Sequence, residues 1–188
     1  MKLVVVTSNP HKAAEIAAFF GNEIEIEHVS MEIPEFRDDD VGEIARRKAE
    51  YAFAVVNQPL IVDDTAFSVA ALHGFPGPYA AYVLSTIGNE GILKLLEDVA
   101  DRKAHFETAI ALATPEGVRV FRGRIDGVIV PPRGHAGFGY DPIFEVAGLT
   151  LAELSLDEKS RVSHRARALA GLRTWLSSGD RERQRPNR

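Results

Sequence analysis

Cysteine is absent from the 188 residues, which excludes a disulfide framework and any thiolate metal site and fits a reducing cytosol. Long apolar runs are missing too. The opening MKLVVVTSNPHK carries only Leu3 to Val6 as an apolar run, too short for a signal-peptide core or a membrane span, so a cytoplasmic protein without a membrane partner is expected. There is no basic excess: 22 Lys and Arg against 27 Asp and Glu leave a net charge of -5. A chain that tracks nucleic acid needs a basic face to offset phosphate, so no stable nucleic-acid partner is expected, while a small anion held by a few local cations remains compatible. No repeat or linker divides the chain. With 45% hydrophobic residues it can fill one core, and a single domain over residues 1–178 is expected, followed by a polar tail over 179–188.

What is present is organised around Val62 to Tyr82, VDDTAFSVAALHGFPGPYAAY. The apolar run from Pro59 to Val62 delivers Asp63, Asp64 and Thr65 to the expected C-terminal end of a buried strand, where open α/β sheets bind ligands. Two adjacent carboxylates are costly to bury, so at least one should face solvent, a cation or a donor; a metal would resolve the conflict.

Leu3 to Val6 predicts a buried strand that stops at Thr7-Ser8-Asn9-Pro10-His11-Lys12. Ser8 or Asn9 can cap the following helix and Pro10 suits its first turn. Free N–H groups there, with Lys12, make an anion site in prospect, although a capped helix with a surface lysine would read the same. Ile16, Phe19 and Phe20 give that helix its stripe, and Gly21-Asn22 closes it. Glu23 to Val29 alternates as a half-exposed strand. Glu35 follows Pro34, which can aim its carboxylate into a cleft, although a lone loop glutamate is usually solvated. Val41 to Val56 has helical periodicity with Lys48 on the apolar side, so its ammonium must snorkel out or meet an anion.

The second half adds antiparallel strands. Asn89 is expected to cap a helix with Ile92, Leu95, Leu96 and Val99 inside, and Pro115-Glu116-Gly117 joins Phe106–Ala113 to Val118–Val130 as a hairpin. The class is therefore α/β, with a mixed, twisted central sheet flanked by helices. Residues 131–144, PPRGHAGFGYDPIF, lack the third glycine of a dinucleotide fingerprint and the helix that would follow it, and a P-loop is absent. The segment reads as an ordered loop whose Phe138 and Tyr140 rings can stack on a base, with Asp141 tied to nearby backbone donors; a structural turn with core aromatics is the alternative. One last helix is expected from about Asp157 to Leu176, with Lys159, Ser163, His164 and Arg165 clustered within two turns near its N-terminus. A solvated basic patch would look alike.

Taken in order, TSNPHK, IPEF, the helix with Lys48, VDDTAF, HGFPGPY, GFGYDPIF and EKSRVSHRARAL resemble the inosine/xanthosine triphosphate pyrophosphatase family, the Ham1-like nucleotide hydrolases, over Leu3 to Leu169. The resemblance implies a homodimer, two lobes with the nucleotide in the cleft between them, and a Mg²⁺ cofactor. It implies that Thr7, Ser8, Asn9, Pro10, His11 and Lys12 form a triphosphate loop joined by Lys48, and that Glu35 and Asp64 are magnesium carboxylates, Asp64 also activating water. Thr65 is implied beside the substrate, Phe138, Gly139, Tyr140 and Asp141 in the base-side loop, and Lys159, His164 and Arg165 in base and phosphate contacts. Several relatives carry Lys or Arg where this chain has Ala81, so the supply of phosphate cations differs here.

The expected chemistry is Mg²⁺-dependent cleavage of ITP, dITP and XTP to the monophosphate and pyrophosphate. Hard carboxylate oxygens suit Mg²⁺, and lysines absorb leaving-group charge. A carboxylate is a weak base, so the metal must acidify the water, which predicts an alkaline optimum. Asp63 is left as either an outer partner of the metal or a ligand of a second one. A pyrophosphatase for other nucleotides, a silent nucleotide sensor and an RNA-binding module are the rival readings; three acidic groups argue against the last two, because an anion binder gains nothing from them.

Overall fold

Strand β1 (Lys2–Val6) is buried except at its first residue and opens directly into helix α1 (Pro10–Phe20). Asn9 is the cap: its side-chain oxygen accepts from the His11 and Lys12 amides at 2.9 and 3.4 Å, and Pro10 occupies the first turn. The chain reverses at Gly21, where φ is +52°, into β2 (Glu25–Val29), which lies parallel to β1. Helix α2 (Val41–Val56) starts where Asp40 accepts the Gly42 amide and ends at Asn57 in the left-handed region, a site at which asparagine costs less than most residues. It returns the chain to β3 (Leu60–Val69), parallel to β1 through Val4↔Leu60 and Val5↔Ile61. The computed structural model describes residues 2–183, with side chains through residue 178; Met1 and residues 184–188 of the expected tail lie outside the described residues.

β3 does not stop where β1 does. After β4 (Pro76–Gly77), α3 (Ala80–Thr86) and α4 (Gly88–Leu95), strand β5 (Lys103–Thr114) pairs antiparallel with all of it, from Leu60↔Ala113 to Val69↔Ala104. Asp63, Asp64 and Thr65 therefore sit inside a ten-residue strand, not at the strand-end turn expected from the sequence, because β5 supplies ladder partners beyond the end of β1. Asn89 also departs from expectation. It lies within α4, caps nothing, and donates to the Gly139 carbonyl at 3.0 Å; Leu95 is exposed while Ile92 and Leu96 are buried.

The predicted hairpin joins β5 to β6 (Gly117–Ile129), and β7 (Phe144–Val146) and β8 (Leu149–Thr150) complete the sheet. Its order is β2-β1-β3-β5-β6-β7-β8 with β4 beside β3, parallel at the first three strands and antiparallel thereafter. The single last helix is in fact two, α5 (Leu156–Val162) and α6 (His164–Arg183). Ser163 between them is extended (φ -67°, ψ 163°), and its hydroxyl accepts the Ala166 amide as the cap of α6. α6 runs through the expected 178/179 boundary to Arg183.

One face of the sheet packs Leu60, Val62 and Ala66 against α2. The other packs Ile61, Ile110 and Leu112 against α1 and α6, and an aromatic cluster of Phe67, Phe106, Tyr140 and Phe144 fills the far end. Gly123 lets α6 seat closely on β6: a Cβ there would collide with the His164 carbonyl and the Ala168 amide.

Candidate active site

The pleat resolves the problem of the paired aspartates. Neighbouring residues of a strand point to opposite faces, so Asp63 turns toward α1 and α6 while Asp64 turns toward α2. Asp63 is fully enclosed. Arg165 Nε donates to its Oδ2 at 2.9 Å, and Lys12 Nζ stands 3.1 Å from its Oδ1, donating at 3.4 Å to the Asp63 carbonyl. Burial alone would raise the Asp63 pKa, but Lys12 and Arg165 outweigh it and hold the carboxyl below its usual range. Asp63 is thus engaged by two cations on the side away from Asp64, and no metal is required to separate the two charges.

Asp64 meets Lys48. The ammonium on the apolar side of α2 finds an anion instead of snorkelling: Nζ lies 3.1 Å from Asp64 Oδ2 and 3.0 Å from Glu35 Oε2. Burial would lower the Lys48 pKa, yet Asp64 and then Glu35 raise it above the usual lysine value, so the cation is firmly protonated. Glu35, from the loop ahead of α2, keeps its side chain 85% exposed. Two carboxylates sharing one ammonium are close enough to share a divalent ion, and Mg²⁺ is commonly held by one or two carboxylates completed by substrate phosphates and water. Among the described residues no group of three or more His, Asp and Glu is gathered for an ion, so the donor set fits a metal brought in with a phosphate.

The loop after β1 is more committed than its sequence suggests. The His11 and Lys12 amides point at Asn9, Thr7 Oγ1 accepts the Asn9 amide at 3.1 Å, and Pro10 has no amide hydrogen. The free donors expected at the start of α1 are thus consumed by its own cap, leaving Lys12 as the main cation of this loop. His11 stacks on Phe138 with ring centroids 5.2 Å apart.

Lys159 and Arg165 are 2% and 1% exposed, so they are no solvated patch. Lys159 bonds Asp141 Oδ2 and Glu15 Oε1, both at 2.5 Å, and Arg165 bonds Glu15 as well as Asp63. Phe138 lies over both cations, 4.7 Å from Lys159 Nζ and 5.9 Å from the Arg165 guanidinium carbon. Asp141 accepts the Phe138 amide at 2.8 Å as anticipated; burial raises its pKa and Lys159 only partly opposes that. Tyr140 is different. Its ring stacks on Phe67 at 4.3 Å, its hydroxyl donates to the Ala80 carbonyl, and burial pushes its pKa up to about 12. It is a core residue, as the structural-turn alternative held. His164 is buried on Phe106, with its pKa pushed well below the usual value by burial and by Arg165, Lys159 and Lys12.

A cavity of about 300 Å³ joins these groups. Thr7, Ser8, Asn9, Lys12, Glu35, Lys48, Asp64 and Thr65 line it together with Phe138, Gly139, Tyr140, Asp141, Lys159, His164 and Arg165; Pro10 and His11 do not. Ala81 lines it too, beside Pro78, Ala80 and Leu84, giving an apolar wall at that point. Sequence reasoning missed three contributors. Glu15 shares the Lys12 and Phe19 face of α1 at helical spacing, the same signal that singles out Lys48. Thr108 and Asn89 carry no local signal, since their partners come from remote strands and loops.

A family model described as the Ham1 family matches residues 3–175. The chain belongs to the Ham1 family. It is 47% identical over 185 residues to the dITP/XTP pyrophosphatase of Methanopyrus kandleri, covering 95% of this chain and 97% of that protein. With the inosine triphosphate pyrophosphatase of Aspergillus fumigatus it shares 42% identity over 181 residues, covering 95% and 96%. The solved HAM1 protein from Coxiella burnetii superposes with a TM-score of 0.80 at 31% identity, covering 95% of this chain and 99% of that one. This Ham1 chain therefore shares both sequence and central mixed sheet with the family along nearly its whole length.

Proposed function

We propose that this chain hydrolyses the non-canonical purine nucleoside triphosphates ITP, dITP and XTP to the monophosphate and pyrophosphate, clearing deaminated purines from the nucleotide pool. The observation that carries the reading is a single cavity lined by Glu35, Asp64, Lys48 and Lys12 together with Phe138, His164 and Arg165. The printed names of the relatives above, inosine triphosphate pyrophosphatase and dITP/XTP pyrophosphatase, support the same substrate class.

In this reading Glu35 and Asp64 hold Mg²⁺, which when bound supplies Lewis-acid polarisation of the phosphate. Lys48 keeps the two carboxylates together and, with Lys12, neutralises the charge of the departing pyrophosphate. Asp64 takes the proton of the attacking water. Phe138 covers the base from its face, while Lys159, His164 and Arg165 meet its polar edge. Selectivity follows from polarity: donors aimed at a purine carbonyl leave an adenine amino group facing another donor, an unmatched pairing that costs about 1–3 kcal/mol per buried group. The enzyme is proposed to work as a cytoplasmic homodimer, with the nucleotide as its only proposed small-molecule partner and with neither a nucleic acid nor a membrane as partner.

A panel of purine and pyrimidine triphosphates, read by pyrophosphate release, tests the proposal on wild type and Asp64→Asn. ITP, dITP and XTP should turn over far faster than ATP and GTP, and the variant should lose turnover while keeping its fold. Equal rates on all purines defeat the selectivity, and tight nucleotide binding with Mg²⁺ but no turnover makes the protein a sensor.

A further inference from the structure

Thr65 on β3 and Thr108 on β5 are register partners, and their hydroxyls meet at 2.7 Å. Thr108 Oγ1 also lies 2.6 Å from His164 Nδ1, and Arg165 Nη2 donates to Thr65 Oγ1 at 3.3 Å. Arg165, Thr65, Thr108 and His164 are thus one hydrogen-bonded chain. A guanidinium only donates, and each hydroxyl has one hydrogen. Starting from Arg165, Thr65 accepts, passes its own hydrogen to Thr108, and Thr108 passes its hydrogen to His164 Nδ1. That direction gives both hydroxyl hydrogens a protein acceptor, whereas in the reverse sense the Thr65 hydrogen has none in the protein and must turn out to the cavity that Thr65 lines.

The ring at the end of this chain is neutral. Burial and the nearby cations Arg165, Lys159 and Lys12 keep its pKa well below the ordinary value, so it holds one hydrogen. Stacking on Phe106, with 4.6 Å between centroids and 18° between planes, fixes its orientation. With Nδ1 accepting, the hydrogen is on Nε2, which has no protein hydrogen-bond partner among the described residues, and His164 lines the cavity.

We infer that Thr108 is a positioning residue: it holds His164 as an Nε2–H donor toward the cavity, so that a purine carbonyl oxygen is accepted there and an amino group refused. The selectivity half rests on the nucleotide reading above; the proton direction does not. Neither Thr108 nor the tautomer is visible in any local motif, because the three hydroxyl and imidazole groups come from β3, β5 and α6.

Two readouts test it. Long-range ¹H–¹⁵N spectra at neutral pH, with the His164 signals assigned by their loss in His164→Gln, should give an unprotonated Nδ1 and a protonated Nε2 in wild type. Thr108→Val, close in shape but without the hydroxyl, should shift the ring toward the other tautomer, and Thr108→Ser should restore it. A wild-type ring protonated at Nδ1, alone or doubly, overturns the inference even if the valine variant does not fold, and so does a valine variant with an unchanged spectrum. In turnover, Thr108→Val should lose about tenfold to a hundredfold of the ITP over ATP ratio in kcat/KM, with Thr108→Ser retaining it. An unchanged ratio beside an altered spectrum overturns the selectivity half. Wild type that hydrolyses no triphosphate refutes the function, while the spectra still judge the proton direction.

Discussion

Glu15→Gln is the sharpest perturbation of the buried charges beneath the cavity. Three cations, Lys12, Lys159 and Arg165, face three anions, Glu15, Asp63 and Asp141, so the set is balanced. Glu15 is the member that joins Lys159 to Arg165. Glutamine preserves the volume and one carbonyl oxygen, but its amide turns a donor toward one of the two cations and leaves one positive charge uncompensated. Removing one partner of a buried pair costs about 3–5 kcal/mol, and at about 2–4 °C per kcal/mol for a chain of this size the melting temperature should fall by roughly 6–20 °C. Urea unfolding at fixed protomer concentration, followed by the single tryptophan, Trp175 on α6 against Phe121, reads the loss directly. Adding Lys159→Met restores the balance of charge, so the double variant should be more stable than the sum of the two singles by at least about 1 kcal/mol. A loss below about 1 kcal/mol in Glu15→Gln, or additivity within about 0.5 kcal/mol in the cycle, would refute the view that this network acts as a unit.

Chelation with excess EDTA should abolish turnover by wild type and Mg²⁺ should restore it; full activity in EDTA removes the metal from the reaction. Lys48→Met leaves Glu35 and Asp64 without the ammonium they share, and kcat/KM should drop about a hundredfold or more, whereas an unchanged value would make Lys48 structural. Tyr140→Phe removes a buried bond to the Ala80 carbonyl and should cost about 1–2 kcal/mol of stability with KM nearly unchanged, while Phe138→Leu should raise KM with little loss of stability; the opposite pattern would exchange their assigned roles. The His164 pKa in the fold lies well below the ordinary histidine value of about 6.5, so just below that pH the unfolded chain binds a proton that the native one refuses. His164 therefore lends stability that is complete above pH 6.5 and declines as pH falls below it, and melting curves of His164→Gln should have a shallower decline there than wild type.

The elements that local chemistry specifies were legible. The Pro10 start and the Gly21 stop delimit α1, the 3.6-residue period marks α2 at Val41–Val56, and Pro115-Glu116-Gly117 makes the β5–β6 turn, because each depends on residues a few positions apart. Lys48 was readable for the same reason, as a charge on an apolar stripe. The break at Ser163 was not, since SRVSHRARAL keeps helical periodicity across it and only the extended serine backbone divides α5 from α6.

By itself the sequence determined the class of the fold, the helix boundaries at strong caps and the set of charged groups available. Only the tertiary structure decided how those charges pair. The same Lys159 and Arg165 would be a solvated patch on an isolated helix, and Asp63 and Asp64 would simply repel. Packing of α1 and α6 on one face of the sheet brings Arg165 to Asp63, 102 residues away, and to Glu15, 150 residues away, while the pleat sends Asp64 to Lys48. Contacts at that separation are set by which strands lie side by side, a property of the whole chain that no short stretch encodes.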